Sequence, residues 1–450
     1  MKPASVGRAL RLGARTTVAM GMAVLGLGTA PAFAEEPTDQ LWIAVPYEPT
    51  ITVAPEGGVG QYRDLPVGLY HDNDTFTVGD GRLTVDVSGL AGVAEVAWPE
   101  NCVPGGSTAV CSVPEVPTLT DDYEEQVRLK VRALPGTVSG AQGKITYEAT
   151  AKGGPDGELV APQNSFDTTV TVGSGPDLRV LRPDKLLGVR PGSSLTAPFS
   201  VTNNGNEAAQ GFSVQMWGTY GLHFATKYPQ CVYTSTGGEG EAAPMTTVTC
   251  AFDTVVAPGA TVELPAPLRL DVAEHALYEL LGYSVEPGAG AVDIQADDNY
   301  GDWPIEAVNT ADFAVRGDTV RGRPGSTVTA ELRFLNRGPA WVGHVGSGDP
   351  AAVVSFHVPK GTVTTAVPDL CEPRERDGAP LEERLGAPRY DCYLPLWVAR
   401  DSKTVLPFQL EIDRVVPGAT GKVVAHPGYG PSFPFDPKPR NNTAQVVVNP

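Results

Sequence analysis

Hydrophobic and polar residues alternate in short runs along most of the chain, and two of these runs are nearly the same. In PGSSLTAPFSVTNNG (191–205), Leu195, Ala197, Phe199 and Val201 share one parity; in PGSTVTAELRFLNRG (324–338), Val328, Ala330, Leu332 and Phe334 do. A period of two is that of a strand with one buried face. Pro-Gly opens each strand. Asn203-Asn204-Gly205 and Asn336-Arg337-Gly338 close them with residues that tolerate the positive φ of a tight turn.

Other strands recur at similar spacing. DLRV (177–180) and DFAV (312–315) open two units, and VRLKV (127–131), LRLDV (268–272) and FQLEI (408–412) mark three. A polar turn and a short strand close each: QNSFDTTVTV (163–172), DDNYGDWPI (297–305) and RNNTAQVVV (440–448). The first unit shows no recognisable counterpart of the Pro-Gly-Ser strand. The pattern predicts an all-β protein of three tandem Ig-like β-sandwich domains at 41–174, 176–309 and 310–450. GSGPD (173–177) and VNTAD (308–312) are linkers too short for much folding back. Three sandwiches end to end span about 105–120 Å, with a radius of gyration of about 30–35 Å, against about 22 Å for a compact body.

Composition fits that reading: 51 glycines and 42 prolines in 450 residues favour many turns between short strands. Residues 1–34 read as a signal peptide. Lys2, Arg8, Arg11 and Arg15 precede the apolar stretch 16–28, and Ala32-Phe33-Ala34 places cleavage before Glu35. The first cysteine is Cys102, so no lipid-anchor site lies near that point, and neither a later membrane span nor an apolar sorting tail is legible. The expected product is secreted, extracellular or associated with the cell wall. The formal charge is −19, and losing the four basic leader residues takes it to −23. Nucleic acid and anionic lipid are thereby disfavoured as partners.

The six cysteines fall two to a unit: Cys102 and Cys111, Cys231 and Cys250, Cys371 and Cys392. The second of each pair lies 16, 18 and 16 residues before its alternating strand. Six cysteines allow 15 pairings, but a repeated unit that closes its own core favours the three local ones, oxidised outside the cell. A metal site would need four clustered ligands and closer spacing.

These residues carry a resemblance. PGSSLTAPFSVTNNGNEAAQGF, APGATVELP (257–265) and RNNTAQVVV resemble Ig-like repeats of bacterial surface and secreted proteins, including cell-adhesion-related (CARDB-type) domains. The resemblance covers the second and third units, about 270 residues; the first joins by its later strands and cysteines. It implies an extracellular spacer or adhesive module without catalysis, with a cell-envelope polymer or extracellular protein as partner.

No catalytic signature is legible. Gly343-His344-Val345-Gly346-Ser347-Gly348 is mis-spaced for a nucleophile elbow, His-Glu-x-x-His is absent, and six histidines stand singly at 71, 223, 275, 344, 357 and 426. No cofactor or metal is expected. The acidic stretches 71–81 and 296–302 hold oxygens calcium would accept, yet Asp, Asn and Gly are also what plain turns need. The aromatic stretch 216–233 offers Trp217, Tyr220 and Tyr228 as glycan contacts, if their faces reach solvent; in a sandwich about half of such residues point into the core.

Overall fold

The computed structural model describes residues 38–120, 123–238, 243–343 and 348–449. The signal peptide, its cleavage point and His344 lie outside the described residues.

The strands fall into three blocks, and the third shows the plan most simply. One sheet orders Ala311–Arg316, Thr327–Pro339, Ser402–Ile412 and Thr362–Ala366. The other orders Thr319–Val320, Thr443–Val448, Ala419–His426, Val353–His357, Arg389–Tyr393 and Cys371–Arg374. Thr319–Val320 runs parallel to the closing strand; the other pairings in these two sheets are antiparallel. This is the two-sheet order of an Ig-like sandwich.

The first block repeats the order, with Leu41–Ala44, Arg63–His71, Val127–Ala133 and Ala94–Ala97 facing a second sheet that ends on Thr108–Val116 and Cys102–Gly105. Arg63–His71 is therefore the strand whose Pro-Gly-Ser signature was missing. Leu65, Val67 and Leu69 are buried on one parity, and Leu65 opposes Leu129 as Leu195 opposes Leu270 and Val328 opposes Leu410.

In the second block the first sheet is interrupted. Pro198 separates Ser194–Ala197 from Val201–Asn203, and Pro265 and Pro267 separate Thr261–Val262 from Leu268–Val272. Proline has no N–H to give a ladder, so two long strands of the third block become four short ones here.

All three disulfides join directly opposed residues on the last two strands of a sheet: Cys102–Cys111, Cys231–Cys250 and Cys371–Cys392. Each ties down an edge strand, the part of a sheet most open to unwanted pairing.

Both junctions between blocks are packed. At the first, the Thr50 N–H donates to Gln295 Oε1 (2.6 Å). Arg63 donates to the Thr50 carbonyl (3.2 Å), Asp177 Oδ2 (2.7 Å) and Asp298 Oδ2 (3.0 Å). At the second, the Trp341 N–H donates to the His275 carbonyl (3.0 Å), and the two rings stack 4.1 Å apart at 21°. Leu277, from the second block, is buried in the core of the third, and Tyr278 meets Phe435 edge-on at 6.1 Å.

Candidate functional site

The three aromatic residues offered as glycan contacts do not share a surface. Tyr220 is only 6% exposed; its ring lies at the second junction, 5.6 Å from Trp341. Tyr228 is 4% exposed and donates its hydroxyl to the Ala266 carbonyl (2.8 Å). Neither has a face for a ligand, because each turns inward from the strand or loop that carries it. Trp217 differs. Phe212, Val214 and Met216 of Phe212–Thr219 are buried, so Trp217 projects from the opposite face of that strand and is half-buried.

Around Trp217 the outer face of the six-stranded sheet is built by cross-strand pairs. Trp217 opposes Thr247 on one side and Gly282 on the other, and Thr247 opposes Thr234. The next row runs Val232, Thr249, Gln215, Ser284 and Tyr300. The indole covers Gly282, where an added Cβ would lie 2.0 Å from Trp217 Cε2. It stacks on Tyr300 with centroids 5.5 Å apart at 27°. The Tyr300 hydroxyl donates to Asp302 (2.5 Å); burial first, then that carboxylate, pushes the phenol above its ordinary value. The result is a stacked Trp–Tyr pair set among hydroxyl and amide groups. Tyr300 and its glycine neighbour were not legible as site residues, because they meet Trp217 only through strand register.

A second constellation lies on the outer face of the third block. Val354 and Phe356 enter the core, so Ser355 points outward from the same strand. Its Oγ lies 2.6 Å from Asp391 Oδ1, 2.9 Å from His426 Nε2 and 3.1 Å from Arg389 Nη2. His426 Nδ1 is 2.8 Å from the Pro427 carbonyl; a carbonyl only accepts, so Nδ1 carries a proton there. Serine beside imidazole is the pairing that activates a nucleophile, but the single hydroxyl proton of Ser355 goes to Asp391 and none is left for Nε2. Here the carboxylate bonds the serine and Arg389 instead of orienting the histidine. Ser355 is 4% exposed, and it pairs with Asp391 and Val424 in the ladders on either side. The cluster ties three strands together, and its members, 36 and 71 residues from Ser355, carry no local sequence signal.

Glu279, at 1% exposed, is as deeply buried as any acid of the second block. Burial pushes its carboxyl up to about 7, against hydrogen bonds from Thr219, the Gly221 N–H and the Leu277 N–H. Thr219 ends the strand Phe212–Thr219, and Gly221 and Leu277 lie in the loops beside the second junction, so it serves that corner.

The acidic stretch 71–81 spends its oxygens on the chain. Asn73 Oδ1 accepts from the Thr75 N–H and hydroxyl, and Asp72 Oδ2 from Trp42 Nε1. Among the described residues no group of three or more His, Cys, Asp and Glu side chains is arranged to hold a metal ion, and no helix is long and apolar enough to cross a membrane.

No family model and no curated protein matches the chain. Among solved structures it is similar to a Corynebacterium diphtheriae protein described as membrane anchored, at 8% identity over 91% of this chain and 95% of that one, TM-score 0.19. It is similar to a Dpr2 Ig1-Ig2 complex with DIP-Theta Ig1-Ig3 at 10% identity, 91% and 99% coverage and TM-score 0.23. The C-terminal domain of the antigen I/II polypeptide BspA of Streptococcus agalactiae matches at 9% identity, 61% and 99% coverage and TM-score 0.18. At such scores these likenesses add nothing to the strand order itself, which makes the chain an all-β, Ig-like sandwich protein.

Proposed function

We propose that the chain is a secreted, non-catalytic spacer or adhesin of the bacterial cell surface, in which three Ig-like domains are held in a stiff row. The cell-adhesion-related likeness of its repeats belongs to the same reading. The observation that carries it is the packing of both junctions: a freely jointed chain would have no use for an arginine held by two carboxylates, or for a leucine sunk into the next core. Solution X-ray scattering of the monomer should give a radius of gyration of about 30–35 Å by the strand rise; a value near about 22 Å sinks the spacer.

A second reading, a glycan-binding accessory protein, is favoured by the Trp217–Tyr300 pair and its hydroxyl-lined surround, since an indole face stacks on the apolar face of a sugar ring. The surface moves from the stretch 216–233 to the outer face of the sheet. Retention on purified cell-wall polymer that falls at least tenfold in Trp217→Ala and is unchanged in Tyr228→Phe supports it; equal retention of wild type and Trp217→Ala removes it.

A further inference from the structure

The acidic stretch 296–302 does not stay at the surface as a plain turn. It folds against Asp177, the residue that opens the second block, where the Arg63 guanidinium arrives from the first. Nη1 of Arg63 donates to Asp177 Oδ2 and Nη2 to Asp298 Oδ2. The other oxygens, Asp177 Oδ1 and Asp298 Oδ1, are buried without a hydrogen-bond partner, and Asp177 as a whole is 1% exposed. Asp293 is the third carboxyl of the corner, its oxygens taken by the Leu178 N–H (2.7 Å) and the Gln295 N–H (2.8 Å). Against these three stand Arg63, on the strand Arg63–His71, and Arg179, on Leu178–Val180, which acts only at longer range. Thr50 adds a carbonyl oxygen to the same guanidinium, a further acceptor and no donor.

The third block has the same corner, completed differently. Asp436 accepts the Lys438 N–H (2.8 Å), as Asp293 accepts that of Gln295. Asp312, the counterpart of Asp177, has both oxygens satisfied within its own block, by Lys438 Nζ (2.9 Å) and Asn441 Nδ2 (2.6 Å). In the second block glutamine stands where the lysine is, and Asp298 stands where Asn441 is. The cation comes from a neighbouring block, and the amide donor is replaced by a group that, when ionised, only accepts.

Two carboxylates on one guanidinium cannot satisfy each other's remaining oxygens, but a single proton turns one of them into a donor. We propose that the junction between the first and second blocks is a proton-held latch: one proton shared by the Asp177 and Asp298 carboxyls completes the site that Arg63 half fills, and its loss loosens the first block from the second. Burial, with Asp177 beside it, pushes the Asp298 carboxyl up to about 7, and burial raises Asp177 as well. A carboxyl raised in the closed state binds its proton more tightly there than in the open one. The latch is therefore fully closed below the ordinary carboxyl range and weakens as pH rises toward about 7.

Hydrogen exchange of the Thr50 amide reports the latch directly, because that N–H bonds Gln295 across the junction. In the full-length protein, protection corrected for the intrinsic rate should fall at least tenfold between about pH 5 and pH 8, one linked proton giving up to tenfold per unit. Asp298→Asn, which installs the donor found in the third block, should keep the amide protected throughout. Arg63→Gln should leave it unprotected at both pH values; should that variant fail to fold, Asp298→Asn alone decides. Protection that is independent of pH in the wild type, or an equal fall in Asp298→Asn, overturns the proposal. So does recovery of protection at pH 8 on adding calcium ions, which would make a cation the missing partner.

Discussion

Asp177 and Asp312 open equivalent strands in consecutive blocks, and their surroundings diverge within a few residues. Asp312 is held by Lys438 and Asn441; burial opposes its charge, but these two hydrogen bonds and the nearby charges of Lys438 and Arg337 together keep the carboxyl below its usual range. Asp177 is held by Arg63 of the block before it, and burial wins, so its carboxyl lies above the usual range. The same fold position is thus satisfied from within its own block in one place and forms a joint in the other. The second junction reaches a similar end by apolar means, with His275 stacked on Trp341 and Leu277 in the next core. Burial pushes the His275 imidazole down, which favours the neutral ring in that stack.

The sharpest way to break the comparison is to remove each cation in turn. Arg63→Ala leaves Asp177 buried and uncompensated, a loss of about 3–5 kcal/mol for one member of a buried pair. Lys438 is 66% exposed in its side chain and leaves Asn441 in place, so Lys438→Ala should cost no more than about 1 kcal/mol. Denaturant unfolding, followed separately for transitions of the first two blocks and of the third, gives both numbers. Equal losses would mean that the two corners are not different in kind.

Much of this architecture can be read from the chain, because a strand with one buried face writes its period into neighbouring residues. The matched strands at 127–131, 268–272 and 408–412 and the cysteine pairs are local signals, and both appear where the pattern places them. That each disulfide fastens an edge strand is not local, since it depends on which strand lies outermost. The strand Arg63–His71 was hidden for another reason: Pro66 and Gly68 fall on its outward parity, and no Pro-Gly turn announces it. Candidate sites were less legible still. Trp217 could be singled out, but its partners Gly282 and Tyr300 are fixed by register across two further strands. Arg63 lies 114 residues from Asp177 and 235 from Asp298, and nothing in the sequence around it marks it as a ligand of either.

A single substitution converts one corner into the other most directly. Asn441→Asp puts a carboxyl where the second block has Asp298, and removes the amide donor to Asp312 Oδ1. Losing that hydrogen bond should cost the third block about 1–2 kcal/mol at neutral pH. The sign of the pH dependence carries more information than the size. In the wild type the Asp312 carboxyl is depressed by folding, so its contribution is present above the ordinary carboxyl range and is lost as pH falls. In the variant the new carboxyl shares a desolvated corner with Asp312, and its affinity for a proton should rise on folding, as that of Asp298 does. Stability should then be regained as pH falls toward 4, the reverse of the wild-type trend at this corner. Unfolding curves for the third block at about pH 4.5 and pH 7.5 would show it; a variant that loses as much in acid as at neutrality would mean that Lys438 alone governs the corner, whatever stands at 441.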